Sequence, residues 1–337
     1  MHFLTLIHLR ANSFNKPFGL LHWMEHGEYM GVDPDTNQPF RHDTIIILLD
    51  PDEMLMRPIT QYFHSSDTIF RGGRPKYTEN ESSSFVVRHG HPLSQEFGFG
   101  ASWLEFAKVA GEDSPARRIS KKDAMRSFAA GPPYIGTALD MHAIASKWCE
   151  FVPKVHAEFP ELMAEMYAFS IASAHLELPH QLVGSLMISD TSIDDGEGWK
   201  FIDDLPAMDI CDFAMNGMDT NSHTMPSVLH FCQRYGVGDK NFFAKKKLPT
   251  DFFSCESPLL EEPAMDIGSG KYLYRKPPFL ETTVKFTATV EKREAFVICR
   301  MTGFLNEAAL FYKSKHCNGS EDKINVKKEI NLHDLPE

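Results

Sequence analysis

The chain has 337 residues, with 46 acidic against 34 basic side chains, a formal net charge of −12, 42% apolar and 24% charged residues. That length holds one large domain or two modest ones with a real core, and the composition excludes disordered and collagen-like chains. The acidic balance argues against a nucleic-acid backbone as main partner while leaving room for a local basic pocket that takes a small phosphorylated ligand.

In chain order, Asn15–Gly27 (NKPFGLLHWMEHG) predicts a short amphipathic helix opened by Pro17 and closed by Gly27. After a polar loop, Thr44–Leu49 (TIIILL) is a continuous β-branched run, the pattern of a strand buried on both faces of a parallel or mixed sheet. It stops at Asp50-Pro51-Asp52-Glu53, and MLMRPI is expected to open a helical turn. Residues 64–100 are loop-rich. Helices are predicted over Ala138–Phe151 and Pro160–Glu177, the second with Pro in its first turn. Strands follow over Gln181–Ser189 and Ser227–Phe231, with a strand pair at Thr282–Thr289 and Ala295–Arg300. Strands alternating with helices over the first 235 residues predict an α/β fold with a smaller irregular tail.

The longest apolar stretch, Ile45–Leu49, is far below the roughly 20 residues that span a bilayer. The opening MHFLTLIHLR lacks the basic region of a signal peptide, so the chain reads as soluble. Its six cysteines (Cys149, Cys211, Cys232, Cys255, Cys299, Cys317) include no CxxC pair, which excludes a zinc ribbon or thioredoxin-like motif and leaves buried thiols or up to three disulfides. Sequons at Asn80 and Asn318 suit a secretory lumen.

Asp50-Pro51-Asp52 is the leading chemical candidate. Carboxylates two residues apart on extended backbone face the same way and can share a hard divalent cation; Pro51 restricts Asp50 to extended conformations. The place is also right, because α/β sheets bind ligands beyond the carboxyl ends of their strands. The triplet alone also fits a strand-ending turn, and Asp33-Pro34-Asp35 repeats it in a loop. His22-Trp-Met-Glu25-His26 matches the H-x-x-E-H spacing of one metalloprotease class, but its helix is about three turns long with no downstream glutamate helix, so a solvated or capping His pair is the expected reading. His230 lies in an apolar strand, where a hydrogen-bonded core histidine is the commoner state. Glu165 sits on a partly apolar helix face beside Tyr167, as a carboxylate suited to a sugar or a developing cation. Lys16, Arg71 and Arg74 are the nearest basic residues that could meet phosphates, although plain surface charge is the commoner state for any one of them. No P-loop and no GxGxxG occurs.

Several longer segments together carry a resemblance. These are NKPFGLLHWM (15–24), IIILLDPDEMLMRPI (45–59), RGGRP (71–75), GPPYI (131–135), EFPELMAEMYAFSIASAHLELPHQLVGSLMISDT (158–191), GEGW (196–199), VLHFCQRY (228–235) and LPTDFFSCESPLL (248–260). With them the chain resembles the plant and algal hydroxyproline O-arabinosyltransferase-like proteins and peptidyl-serine galactosyltransferases. The resemblance implies a GT-A-like mixed sheet flanked by helices, with a catalytic domain over 1–255 and a C-terminal extension over 256–337. It implies a retaining, metal-dependent enzyme that transfers arabinofuranose or galactose from a UDP-sugar to a hydroxyproline or serine hydroxyl of a secreted glycoprotein. Asp50, Asp52 and His230 are then expected to hold Mn²⁺ or Mg²⁺, Lys16 and Arg74 to meet the donor phosphates, and Glu165 and Tyr167 to border the sugar or acceptor. The family's setting is the Golgi or endoplasmic reticulum lumen, membrane-anchored. Two departures stand out: no uridine-binding first strand precedes Asn15, and the anchor is absent, the pattern expected of an N-terminally truncated chain. The rival expectation is a catalytically inactive scaffold that keeps the fold.

Overall fold

A computed structural model of the protein describes residues 15–64, 68, 84–194, 196–217, 225–275, 284–317 and 329–335. The chain forms two compact units, one of Met1–Asp50 and Ile59–Leu186, the other of Pro51–Pro58 and Met187–Glu337. The anticipated boundary at 255/256 falls inside the second unit. The architecture is mixed α/β, with small mixed sheets and helices.

In the first unit a four-stranded sheet runs in the order Ile45–Leu48, Ala130–Thr137, Leu93–Glu96, Gln181–Val183, antiparallel except for its last pair. The Ile45–Leu48 strand is therefore an edge strand, and Ile47 is 37% exposed, whereas a strand buried on both faces was expected. The fully buried strand is Ala130–Thr137 (AGPPYIGT), which its two prolines hide from sequence inspection. Pro132 and Pro133 are accommodated because the register against Leu93–Glu96 shifts there, pairing Ser94 with Tyr134 and Gln95 with Gly131; the prolines fall in the irregularity, where no ladder N–H is needed.

Helix Ala138–Glu158 begins with the Thr137 hydroxyl accepting from the Asp140 N–H and runs past the expected end at Phe151, through Pro153. It packs on helix Ala164–His175 and on helix Asn15–His26. Ala164–His175 starts later than expected, because Pro160–Met163 form the turn that precedes it. Every residue from Ala164 to Ala174 is buried, as in a helix enclosed on all sides.

In the second unit a three-stranded sheet has the order Glu53–Leu55, Val228–His230, Met187–Ile188. The first of these replaces the helical turn expected for MLMRPI: Met54 and Met56 enter the core while Leu55 between them is 50% exposed, a period of two. The run expected as one strand, Gln181–Ser189, is two strands, Gln181–Val183 and Met187–Ile188, one in each unit.

The largest correction lies near the C-terminus. Ala295–Arg300, expected as a strand, is the middle of a 29-residue helix, Ala288–His316, capped by the Thr287 hydroxyl accepting from Val290 N–H. A short buried apolar run reads alike in a strand and in a buried helix. This helix is core to its unit, with Phe296, Val297 and Cys299 buried alongside Tyr235, Val237 and Phe243. Of Thr282–Thr289, Val284–Lys285 pairs antiparallel with Tyr274–Arg275, and residues 282–283 lie outside the described residues.

Disulfides Cys211–Cys299 and Cys255–Cys317 tie this helix to the rest of the unit, leaving Cys149 and Cys232 as thiols. The first closes a loop of 88 residues, for which the chain-entropy model gives a stabilisation of at most about 4–5 kcal/mol. Cys211→Ser/Cys299→Ser is expected to lower the denaturant midpoint by an amount equivalent to roughly 2–5 kcal/mol, and reductant should destabilise the wild type more than the variant, in which only Cys255–Cys317 is left to reduce, as read by guanidinium unfolding.

Candidate functional site

Among the described residues a cluster of converging charges stands in each unit, and the Asp50-Pro51-Asp52 tripeptide contributes a carboxylate to each. In the first unit, Lys16 projects from the first turn of helix Asn15–His26, Glu165 from the first turn of helix Ala164–His175, and Asp50 from the end of the Ile45–Leu48 strand. Lys16 Nζ lies 2.5 Å from Asp50 Oδ1 and 3.0 Å from Glu165 Oε2. Glu165 is only 3% exposed, and its second oxygen, Oε1, is buried with no hydrogen-bond partner among the described residues. Burial pushes the Glu165 carboxyl up to about 7 in spite of Lys16 beside it, so near neutrality it is poised between its two forms. Burial pulls the Lys16 ammonium down, but Glu165 and Asp50 together outweigh it and hold Lys16 above its ordinary value.

In the second unit, Asp52 opens the segment leading into strand Glu53–Leu55, which pairs with the strand holding His230. The Phe231 N–H donates to the Asp52 carbonyl at 3.0 Å, and His230 Nε2 lies 3.4 Å from Asp52 Oδ1. Lys245, in the Lys245–Lys247 turn that follows strand Asn241–Ala244, makes a close ion pair with Asp52 Oδ2. The bond from His230 drives the Asp52 carboxyl far below the carboxylate range, against the penalty of burial and with help from Lys245. Burial would lower the His230 imidazolium, but Asp52 and Cys232 outweigh it and lift His230 to about 10. Cys232 feels the converse: burial raises its thiol, and His230 more than reverses this, leaving it below its ordinary value.

The segments around His230 are fixed by Tyr235 of strand Arg234–Val237, by Glu197, and by the C-terminal helix. Tyr235 Oη donates to the carbonyls of Ser189 and His230, both at 3.1 Å. Glu197 accepts from the Ser189 N–H, the Asp190 N–H and Trp199 Nε1, at 2.5, 3.1 and 2.8 Å. Glu294, from helix Ala288–His316, accepts from the Thr191 hydroxyl at 2.6 Å and the Gly236 N–H at 2.5 Å. Arg293 next to it forks onto Asp203 through Nε and an Nη, at 2.9 and 2.6 Å. Ser189 Oγ reaches Cys232 Sγ at 3.3 Å.

Among the residues singled out from sequence, the structure joins Lys16, Asp50 and Glu165 in one unit and Asp52 with His230 in the other. Tyr167 does not join the first cluster. Two residues on a helix point about 200° apart, and Tyr167 instead packs in an aromatic group, 5.7 Å from the Phe106 ring, 5.4 Å from Phe159 and 5.3 Å from Phe99. Glu161, one turn before Glu165, is exposed. Arg71 and Arg74 lie outside the described residues. Lys245, Tyr235, Glu197 and Glu294 were not singled out; Lys245 reaches Asp52 across 193 residues, and only the Lys245–Lys247 run itself hinted at a cationic patch. No protein-family model, no curated protein and no solved structure matches the chain.

Replacing Lys16 by Met leaves Glu165 and Asp50 without their shared cation. A carboxyl raised in the folded state opposes folding only where it ionises: Glu165 costs nothing below its ordinary value near 4.5 and its full amount above about 7. Lys16→Met is therefore expected to cost about 3 kcal/mol at pH 8 and distinctly less at pH 5, measured by denaturant unfolding at the two pH values.

Proposed function

We propose that this chain is a divalent-cation-dependent glycosyltransferase that moves a sugar, arabinofuranose or galactose, from a UDP-sugar to the hydroxyl of hydroxyproline or serine in a secreted glycoprotein, with retention of configuration. The observation that carries the reading is the pairing of Asp52 with His230, which brings an oxygen and an imidazole donor 3.4 Å apart from strands distant in sequence. The Asp52 carboxylate suits Mn²⁺ or Mg²⁺, and the His230 imidazole beside it suits a transition ion. The buried oxygen of Glu165 that has no hydrogen-bond partner among the described residues is the further sign that a polar group belongs in the first unit's cluster.

The bound cation would supply charge neutralisation for the departing diphosphate. The chain's own groups do the rest. His230 gives up its proton to act as a donor, because an imidazolium cannot ligate. Lys245 and Lys16, each now resting on an aspartate, are cations that can turn to phosphate oxygens once those aspartates are engaged. Glu165, in its ionised form, favours the positive charge that develops on the sugar ring as the anomeric bond breaks.

The same lysines favour a second reading. Asp50 and Asp52 are each already neutralised by the protein, as they would be in a scaffold that keeps the fold without the activity. No helix among the described residues is long and apolar enough to cross a membrane.

UDP titrated into the chain is expected to raise the melting temperature by a few degrees with Mn²⁺ present and not without it, with the shift lost in Asp52→Asn. A folded wild type that shows no shift with UDP and Mn²⁺ would favour the scaffold, and a shift that survives in Asp52→Asn would exclude this carboxylate from the site.

A further inference from the structure

The second unit holds a cleft of about 1120 Å³ whose lining includes none of Asp52, His230 and Lys245. The volume is slightly above the roughly 300–1,000 Å³ common for small-ligand sites. Its apolar lining comes from one face of helix Ala288–His316 at Ile298, 2% exposed, with Phe242, Leu260 and Leu332, all buried, beside it. The wall at Leu260 is held in place by Asn306 of the same helix, which accepts from the Leu260 N–H at 2.8 Å and donates to its carbonyl at 2.9 Å. The next residue, Glu261, donates its N–H to the Ile330 carbonyl at 2.9 Å. The recess is therefore built by the fold before any ligand arrives. One turn on from Ile298, Thr302 also lines the cleft; it is only 5% exposed, and its hydroxyl has no hydrogen-bond partner among the described residues. A buried hydroxyl without a partner is uncommon, and here it offers a place to a ligand's polar atom.

The cleft's charged residues are mostly of one sign. Asp239, Glu261, Glu262 and Asp334, all exposed, stand at it against Lys240 and Lys271. Lys271 is already neutralised by Asp266, at 2.6 Å, so a single lysine faces four carboxylates. Tyr272 adds an aromatic ring, packed on the turn at Gly238, of the kind on which cations rest.

We propose that this cleft binds a small organic cation, an ammonium group on an apolar body that carries a second polar atom. The apolar recess takes the body, the carboxylates take the ammonium, and the Thr302 hydroxyl takes the second polar atom. An anion of the same shape would meet repulsion from the carboxylates, and a neutral one would gain nothing from them. Every residue of the site belongs to the second unit, so the site is complete within it. The proposal does not depend on the glycosyltransferase reading.

The test uses three probes of one length that differ in charge: 6-aminohexanol, 1,6-hexanediol and 6-hydroxyhexanoate, titrated into the full chain and followed by saturation-transfer NMR. The amine is expected to bind at least about tenfold tighter than the other two. Asp239→Lys/Glu262→Lys, at two exposed positions, should weaken the amine at least about fivefold. Glu112→Lys/Asp113→Lys, an equal change of net charge at exposed positions of the first unit, should leave it unchanged. Thr302→Val, which keeps the side chain's shape, should weaken 6-aminohexanol while leaving hexylamine, which lacks the hydroxyl, unaffected. The proposal is overturned if the amine binds no tighter than the diol and the acid, or if Asp239→Lys/Glu262→Lys leaves it as tight. It is equally overturned if Glu112→Lys/Asp113→Lys weakens the amine as much, which would reduce the effect to the chain's overall charge, or if Thr302→Val does not distinguish the two amines.

Discussion

Charge taken out of water has to be matched where it stands, and that constraint shapes both halves of this protein. In the first unit, Lys16 answers two carboxylates at once, Asp50 and the almost fully buried Glu165, and so ties together the first turns of two helices and the end of a strand. In the second, Asp52 is answered by His230 and Lys245, which join three strands and a turn far apart in sequence. Neither arrangement is an economical way to stabilise a fold, since a well-packed apolar group of the same volume commonly does as well or better. Buried ionisable groups held at shifted values and facing one another are candidates for chemistry as well as for structure.

The C-terminal helix explains how the second cluster is held. Read from the sequence, the tail after residue 255 is an irregular extension. In the structure, helix Ala288–His316 lies inside the unit's core, is joined to Cys211 through Cys299, and sends Glu294 and Arg293 out to grip the segments on either side of His230. Glu294 satisfies the backbone of strand Arg234–Val237, whose Tyr235 supports the His230 carbonyl. His230 is thus positioned by residues some 60 places further along the chain, a dependence that no local pattern reveals.

What was legible in the sequence follows the reach of each signal. The helix Asn15–His26 is announced by Pro17 and Gly27, and the end of the strand Ile45–Leu48 by Asp50-Pro51, because capping and turn chemistry are local. The strand Ala130–Thr137 was hidden by Pro132 and Pro133, whose tolerance depends on an irregularity in the neighbouring strand's register. Ala295–Arg300 misled because its β-branched run is buried in helix and strand alike. Asp50, Asp52, Glu165, Lys16 and His230 could be named from residue type and setting, yet the way the structure divides them, Lys16 with Asp50 and Glu165 and His230 with Asp52, needs long-range packing to appear. Tyr167 packs among aromatic rings and not with Glu165, because residues two apart on a helix face different ways.

The central claim is that these charges serve sugar transfer. The most direct measurement is mass spectrometry of a peptide bearing both hydroxyproline and serine, incubated with the chain, a panel of UDP-sugars and Mn²⁺. The claim predicts that one donor yields a glycosylated peptide, that chelator abolishes the product, and that Asp52→Asn and His230→Ala reduce it at least a hundredfold while remaining folded. A folded chain that yields no adduct from any donor in the panel, or an adduct indifferent to chelator and to both substitutions, would contradict it.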